Sequence, residues 1–530
     1  MQANAQGHKN RWYGLVFICV SLLIISLDNT VLNVALPAIS RDLGATASEL
    51  QWIVDAYILV FAAMLLTMGA VGDRIGRKRA LQFGVIWFGI FSLLAALSSS
   101  TNMLIVTRAL LGIGGATIMP ATLSLVTASF RDPKERAQAI AIWAAMFGFG
   151  IGLGPLVGGF LLERYSWSSV FFVNLPVVVV ALIGGHFYLE DSRDENAPSP
   201  DIPGVLLSIT GLFALVYGII EAGVDGWGAT NVLGAFGVAA VLLVLFFWWE
   251  NRAPNAMLPL YLFRNMSFTG ANVAMTLMMF GMFGATFFFS QFFQSVQGYT
   301  ALEAGIRLFP MSLVIMVFAA MSARVSARLG IKRTVGMGFL VAAVGMGVLS
   351  QVSSVGASYA TMMLGLGIMA AGMGVAMSPA TDSIMSSVPV NKAGIGSAMN
   401  DTTRQIGGAL GVAVLGTIMN NVYLSDVTSL EQQIPPEAYA AVSSSVQGAH
   451  AIAARVGAPM GTMIESVADK AFVNGMTEAM LIAAFIMAFA SVFTFIVLPT
   501  HARCIEPECD DEQADVADHE RRAPVPAMGD

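Results

Sequence analysis

Apolar residues run through this chain in long unbroken stretches rather than in alternation. Such stretches recur at 14–36, 50–70, 80–98, 103–128, 137–160, 167–189, 202–223, 231–250, 267–289, 304–323, 334–352, 358–379, 393–418 and 477–498. About 20 apolar residues in α-helical form, at ~1.5 Å per residue, cross the roughly 30 Å hydrocarbon layer of a bilayer. Helix is the expected form because lipid offers no partner to an open backbone. The pattern predicts an all-α transmembrane protein with fourteen spans. Two segments break it. Residues 421–476 read as a long polar loop interrupted at Pro435–Pro436, and residues 503–530 as a disordered acidic tail with Glu506, Glu508, Asp510, Asp511 and Glu512.

Composition agrees with a bilayer. The chain has 530 residues, of which 56% are hydrophobic and 12% charged, against about 25% charged in a soluble domain. Too little polar surface remains to solvate a soluble protein of this size. Cys19 lies in an apolar stretch, and Cys504 and Cys509 lie in the tail. With no CxxC pair, neither a structural metal nor a redox role is expected. The N-terminus is polar up to Arg11 and then enters an apolar stretch too long for a signal-peptide core, so no cleaved leader is expected.

Lys and Arg set the orientation. With the N-terminus in the cytoplasm, Arg41, Arg164, Arg455 and Lys470 fall outside, and Arg108, Arg307 and Arg404 sit within or near spans. The rest of the 27 basic residues fall on the cytoplasmic side, among them Lys9, Arg11, Arg74, Arg77, Lys78, Arg79, Arg131, Lys134, Arg136, Arg324, Arg328, Lys332 and Arg333. One missed helix would invert every later loop and destroy this bias. Trp12, Tyr13, Trp167, Trp248 and Trp249 stand near span ends, where interfacial aromatics belong.

The chain also repeats itself. Val71-Gly-Asp-Arg-Ile-Gly-Arg-Lys-Arg79 follows the second span, and Val325-Ser-Ala-Arg-Leu-Gly-Ile-Lys-Arg333 follows the tenth. Arg74, Gly76, Lys78 and Arg79 match Arg328, Gly330, Lys332 and Arg333 at one constant offset, and Pro120-Ala-Thr122 matches Pro379-Ala-Thr381 at nearly the same offset. Both copies lie on the same side, so the repeat is parallel, with its axis along the membrane normal. Residues 1–189 then form an N-terminal six-helix bundle and 265–502 a C-terminal one. Residues 190–264 have no counterpart and read as a two-helix insert.

Four motifs carry candidate chemistry. Leu27-Asp-Asn-Thr-Val-Leu-Asn-Val-Ala-Leu-Pro37 puts Asp28 inside the hydrocarbon. A charged carboxylate there costs several kcal/mol unless it faces a cavity or a partner. Desolvation raises such a pKa and a nearby cation lowers it, so a carboxyl held between the two can exchange protons. The alternative is a permanent Asp–Arg pair that only holds helices together. Gly69-Ala-Val-Gly-Asp-Arg-Ile-Gly-Arg-Lys-Arg79 allows a tight turn at Gly72 and Gly76. Asp73 with Arg74, Arg77 and Lys78 can latch one face shut across the two bundles. A plain topogenic loop explains the arginines but not the Gly/Asp spacing. In the second copy Ala327 replaces the aspartate.

Arg108-Ala-Leu-Leu-Gly-Ile-Gly-Gly115 places a guanidinium, charged at any working pH, one and two turns from Gly112 and Gly115 on the same face. Gly148-Phe-Gly-Ile-Gly-Leu-Gly-Pro-Leu-Val-Gly-Gly159 sets Gly150, Gly154 and Gly158 four apart for close helix packing, with Pro155 favouring a bend and Gly159 following. It lacks GxGxxG and lies in an apolar helix, which argues against a dinucleotide site.

Together these motifs resemble the major facilitator superfamily, and within it the fourteen-helix drug:proton antiporters. The resemblance covers about residues 12–500. It implies a multi-pass protein of the cytoplasmic (inner) membrane, with cytoplasmic termini, that exports hydrophobic and cationic drugs or dyes by alternating access. Quaternary ammonium compounds, ethidium and fluoroquinolones are the substrate types implied. The proton is the coupling ion, no cofactor or metal is required, no nucleic acid is bound, and the chain is expected to act as a monomer. An exporter of an endogenous metabolite, lipid or antibiotic on the same fold is the alternative. Arg108 matches the family's proton-coupling arginine, and the 148–159 run matches its exporter signature.

Other polar groups also fall within or near the spans. Asp55 in the second span can meet a cationic substrate or sit solvated at the interface. Asp401, Arg404 and Gln405 share one face of the thirteenth span. Asp401 is assigned to proton coupling with Asp28 and Arg108, although an Asp401–Arg404 pair could instead cancel locally. Asp382, His186 and His450 read as solvated. Among 31 Met and 33 Phe, most must face lipid. Met278, Met279, Met282, Phe287, Phe288 and Phe289 are the candidate lining, with Met278, Met282 and Phe288 assigned to substrate. Neither a Walker A loop nor a catalytic constellation is present, so an enzyme is not expected.

Overall fold

In a computed structural model the described residues are 2–130, 132–193, 199, 201–254, 256, 258, 260–388 and 393–500. The acidic tail, with Cys504 and Cys509, lies outside them.

Seventeen helices are described: α1 (Gln2–Leu43), α2 (Ala47–Ile75), α3 (Arg77–Ala96), α4 (Thr101–Ser129), α5 (Pro133–Arg164), α6 (Ser169–Phe172), α7 (Asn174–Tyr188), α8 (Ile202–Ala222), α9 (Thr230–Glu250), α10 (Met266–Gln291), α11 (Ala301–Leu329), α12 (Ile331–Val352), α13 (Tyr359–Ser386), α14 (Ala393–Val427), α15 (Pro436–Ser444), α16 (Val446–Val456) and α17 (Met460–Val497). Thirteen stretches among the described residues are long and apolar enough to cross a membrane, with α6 and α7 acting as one, Ser169–Tyr188. The fifth expected stretch is also one continuous helix, α5. The protein is an all-α, multi-pass integral membrane protein.

Helix ends show the repeat in atomic detail. Thr46 and Glu49 form a capping box at the start of α2, and Thr300 and Glu303 form the same box at the start of α11. Each hydroxyl accepts the N–H three residues on, while the glutamate accepts the cap's own N–H. At the other end Gly76 (φ +114°) and Gly330 (φ +81°) terminate α2 and α11 with a backbone that L side chains rarely adopt. Each glycine hands over directly to the next helix. The freed N–H groups are met alike: Arg77 N donates to Ser192 O at 2.9 Å and Ile331 N to Thr500 O at 3.0 Å.

Packing follows the same correspondence. In the first half α1 packs on α5 and α7, α4 on α2 and α3, and α3 on α7. In the second, α10 packs on α14 and α17, α13 on α11 and α12, and α12 on α17. α2 also packs on α14 and α5 on α11, contacts that the correspondence interchanges. The pair α8–α9 stands outside it. Trp52 stacks on Phe213, and Thr417 and Asn420 donate to the carbonyls of Ile219 and Gly223, so α8 seats on the α2–α14 junction.

Residues 421–476 are not the irregular loop expected from their polarity. α14 continues to Val427, α17 begins at Met460, and α15 and α16 lie between. Pro436 opens α15, and Ser445 caps α16 by accepting from Gly448 N at 3.0 Å. α16 buries one side, Val446, Gln447, Ala449 and Ala453. A short helix with one apolar stripe never yields a long hydrophobic run, so a search for spans passes over it.

Candidate functional site

Asp28 on α1 is fully buried, and Arg108 on α4 is 1% exposed. Arg108 Nη1 donates to Asp28 Oδ2 at 2.5 Å, and its Nε donates to Ile53 O at 3.1 Å. The guanidinium lies 4.4 Å from the Tyr57 ring centroid, a cation–π contact. Asn174 Nδ2 donates to Asp28 Oδ1 at 3.4 Å and to Ser92 Oγ at 3.0 Å, and Ser92 donates in turn to Phe171 O. Helices α1, α2, α3, α4 and α7 thus converge on one buried carboxylate. Gly112 and Gly115 make this possible, because a Cβ on either would strike the Tyr57 carbonyl or the Phe61 ring. Sequence reading named Asp28 and Arg108 separately, without their contact. It missed Asn174, Ser92 and Tyr57, although an Asn within an apolar helix is itself a signal of a buried partner.

The 148–159 run lies alongside. A Cβ on Gly150 or Gly154 would collide with Ser26 or Thr30, and one on Gly158 would meet Val31. These are the residues of α1 that flank Asp28. On the other side of α5, a Cβ on Gly159 would meet Leu302 Cα at 2.5 Å, and one on Gly305 would strike the Pro155 carbonyl. α5 is therefore wedged between α1 and α11 with backbone contact on both sides.

Among α1, α4, α5, α10, α11 and α14 lies a cavity of about 100 Å³. α1 supplies Asn29, Thr30 and Asn33; α4 and α5 supply Met119 and Pro155; α10 supplies Met279, Met282, Phe283 and Thr286; α11 supplies Met311 and Ile315. α14 supplies Asp401, Arg404 and Gln405. Asp401 and Arg404 are separated by 3.9 Å at their nearest polar atoms. Asn29 Oδ1 and Gln405 Oε1 are buried without a hydrogen-bond partner. Met282 lines this space as expected. Met278 and Phe288 do not: at 1% and 0% exposure they are packed inside the helix bundle. Their neighbours Met279 and Phe283 line it instead. Asp28 is also outside the lining, one residue behind Asn29.

Asp55 is fully buried and neither carboxylate oxygen has a partner. It lies one turn from Gln51, whose side chain abuts Gly416 of α14. Asp73 does not reach across the halves. Its Oδ1 accepts from Arg77 Nε at 2.7 Å, because the turn at Gly76 returns Arg77 to it. Lys78 Nζ donates to the carbonyls of His186 and Leu189, and Arg79 pairs with Asp191 at 3.1 Å. Gly69 faces Pro120, Gly76 faces Asp191, and Arg74 is exposed. Asp382 and His186 are exposed, in line with solvated positions. His450 is not simply solvated: its Nε2 lies 2.7 Å from Asp469 Oδ1.

Comparison with known proteins gives this arrangement its family. The Multidrug efflux pump LfrA of Mycolicibacterium smegmatis is 36% identical over 480 residues, covering 91% of this chain and 95% of that protein. The Tetracenomycin C resistance and export protein of Streptomyces glaucescens is 34% identical, over 92% and 93% of the two chains. The Methyl viologen resistance protein SmvA of Salmonella typhimurium is 32% identical, over 87% and 93%. In fold, the chain superposes on an inward-facing, unoccupied bacterial homolog of the human lysosomal transporter Spinster with a TM-score of 0.66 at 18% identity, covering 92% of this chain and 97% of that one. A D-xylose–proton symporter matches with a TM-score of 0.60 at 13% identity, over 92% and 98%. The Major Facilitator Superfamily model matches residues 18–412, and the chain belongs to that superfamily: it is a membrane transporter homologous to multidrug-resistance proteins, not an enzyme.

Proposed function

We propose that the protein is a proton-coupled exporter of hydrophobic, cationic drugs or dyes, of the fourteen-helix drug:proton antiporter type. The observation that carries this reading is the pairing of two sites on one helix. α1 faces the cavity with Asn29, Thr30 and Asn33 and holds Asp28 against Arg108 on its other side. The cavity has adaptable methionines and an aromatic face, which suit varied organic cations, and an acid, Asp401, to meet their charge. Residues 1–189 and 265–502 act as the two rocking bundles, 190–264 as the insert, and the termini lie in the cytoplasm.

Substrate entering from the cytoplasm or the inner leaflet takes the charge of Asp401 and displaces its proton. Contact with Asn29 and Thr30 moves α1 against the glycine face of α5, which alters the hold of Arg108 and Asn174 on Asp28. Asp28 then exchanges its proton on the other side. When Asp28 is neutral, Arg108 keeps Ile53 O and the Tyr57 ring, which offset part of the lost ion pair. Exchange of one proton for one monocation moves no net charge, so the pH difference drives it, at about 1.4 kcal/mol per pH unit. One such unit sustains about a tenfold gradient without ATP.

Reconstituted into proteoliposomes with an imposed pH gradient, the protein should transport ethidium, a quaternary ammonium and a fluoroquinolone. Uptake that ignores the gradient for all three sinks the proton-coupled reading. An exporter of an endogenous product is the second reading, favoured by the relative named for tetracenomycin C export. Metabolite profiles of a deletion strain separate the two.

A further inference from the structure

The second copy of the basic turn keeps its cations and loses its acids. At the α2–α3 turn Arg77 pairs with Asp73 at 2.7 Å, Arg79 pairs with Asp191 at 3.1 Å, and Lys78 donates to the carbonyls of His186 and Leu189. At the α11–α12 turn Arg328, Lys332 and Arg333 correspond to Arg74, Lys78 and Arg79, with Arg324 one turn earlier. Ala327 stands in place of Asp73. The bonds from Arg77 N to Ser192 O and from Ile331 N to Thr500 O are equivalent, so Pro499 stands in place of Asp191. Arg324, Arg328 and Arg333 are exposed and Lys332 is half-buried. None of these side chains has an ion-pair or hydrogen-bond partner among the described residues.

Like charges crowded on one turn repel one another, and an anionic partner relieves the repulsion. The chain itself brings one. Thr500 is held on the turn: its carbonyl accepts from Ile331 N at 3.0 Å, and a Cβ on Gly330 would meet its side chain. From Thr500 the sequence reaches Glu506 within about 20 Å even when fully extended. From Glu506 to Glu520 it carries acids, Asp510, Asp511 and Glu512 among them, and no Lys or Arg. Arg328 and Lys332 are each two residues from Gly330, inside that reach. A single exposed ion pair contributes little. Several on one short tether act together, because the tether holds the acids at an effective concentration on the order of millimolar.

We infer that the α11–α12 turn is a docking surface for the acidic stretch 506–520 of the same chain, which supplies the negative charge that Asp73 and Asp191 supply at the α2–α3 turn. The bond from Ile331 to Thr500 puts the turn and the root of this stretch together, so the inference holds for either orientation in the membrane and for any substrate. The competing occupant is an anionic lipid surface.

The test uses the full-length protein in nanodiscs of zwitterionic lipid, treated with a water-soluble carbodiimide, which joins an amine to a carboxylate in direct contact. Peptide mass spectrometry of the monomer band should find Lys332 linked to an acid of 506–520. The link should fall at least fivefold in the triple variant Arg324→Gln, Arg328→Gln, Arg333→Gln, which leaves the reporting amine in place. It should fall as far in the wild type when salt rises from ~0.1 M to ~1 M, where the screening length shrinks from about 10 Å to about 3 Å. It should persist when phosphatidylglycerol is added to the nanodiscs. No link to Lys332 within one chain overturns the inference. So does a link that ignores either the substitutions or the salt, because it reports only the short tether. Loss of the link on adding phosphatidylglycerol also overturns it and assigns the cations to lipid headgroups. If the triple variant does not fold, the salt comparison on the wild type decides.

Discussion

Arg108 and Asp28 form a buried ion pair between α4 and α1, 2.5 Å apart, with 1% and 0% of their side chains exposed. Removing one partner strands the other. Asp28→Asn should lower the stability of the purified protein by about 3–5 kcal/mol, because the guanidinium keeps its charge in a site built for two. Arg108→Gln added to Asp28→Asn should recover most of that loss by removing the orphaned charge. Coupling should not return with it. Thermal melting in detergent and pH-driven export, measured on all three variants, separate the structural share of this pair from its proton share. Full pH-driven export by Asp28→Asn would show that another group is the coupling acid.

Asp55 gives the contrasting case. It is as deeply buried as Asp28 but neither oxygen has a partner. Its carboxylate therefore contributes no bond to be lost, and a neutral amide of the same shape relieves a desolvation penalty. Asp55→Asn should leave the melting temperature unchanged or higher. If the acid meets cationic substrate, export of ethidium should fall at the same time, by roughly tenfold for the loss of about 1.4 kcal/mol of charge interaction. A stable variant with unaltered ethidium export removes Asp55 from the substrate path.

How far these sites can be read from the chain depends on the kind of signal. Glycines that a turn demands are visible: Gly76 and Gly330 match in sequence, and both sit at positive φ where the helices break. The capping boxes at Thr46–Glu49 and Thr300–Glu303 are equally legible as T-x-x-E. Pairing across helices is not. The carboxylate of Asp28 and the guanidinium of Arg108 could be named separately, but the third dimension decides that Asn174 and Ser92 complete the set. Side-chain direction fails more quietly. One residue along a helix turns the face by about 100°. Met278 and Phe288 therefore lie in the right segment but face away, while Met279 and Phe283 hold the cavity positions.

Where α5 and α11 cross, glycines bring the two helices into backbone contact. Gly159 stands within backbone distance of Leu302, and Gly305 of the Pro155 carbonyl. A methyl group has no flexible side chain to displace there, so the helices themselves must part. Gly159→Ala with Gly305→Ala should separate this end of the crossing and slow transport by at least tenfold, since a shift of about 1 Å suffices to misplace a site. Cysteine placed at Glu163 should gain reactivity toward a membrane-impermeant thiol reagent in the double variant. Unchanged labelling with unchanged transport would show that the crossing accommodates the two methyls.

His450 on α16 and Asp469 on α17 fasten the α15–α16 segment to the last helix, Nε2 to Oδ1 at 2.7 Å. Burial alone pulls the imidazole pKa down. The hydrogen bond and charge of Asp469, with Glu465 beside it, outweigh that and hold the value above the ordinary 6.5. The sign follows from linkage: a group whose folded-state pKa is raised lends stability that is complete below its ordinary pKa and disappears as pH climbs through the raised one. The segment should therefore loosen on going from mildly acid to alkaline solution. Amide hydrogen exchange across 446–456, corrected for the intrinsic pH dependence of exchange, should rise by up to about fivefold, the range of a partly exposed pair worth at most about 1 kcal/mol. His450→Gln should remove the pH dependence and hold exchange at the faster, alkaline level throughout. Exchange that slows toward alkaline pH in the wild type would mean that the neutral imidazole is the form that fastens α16.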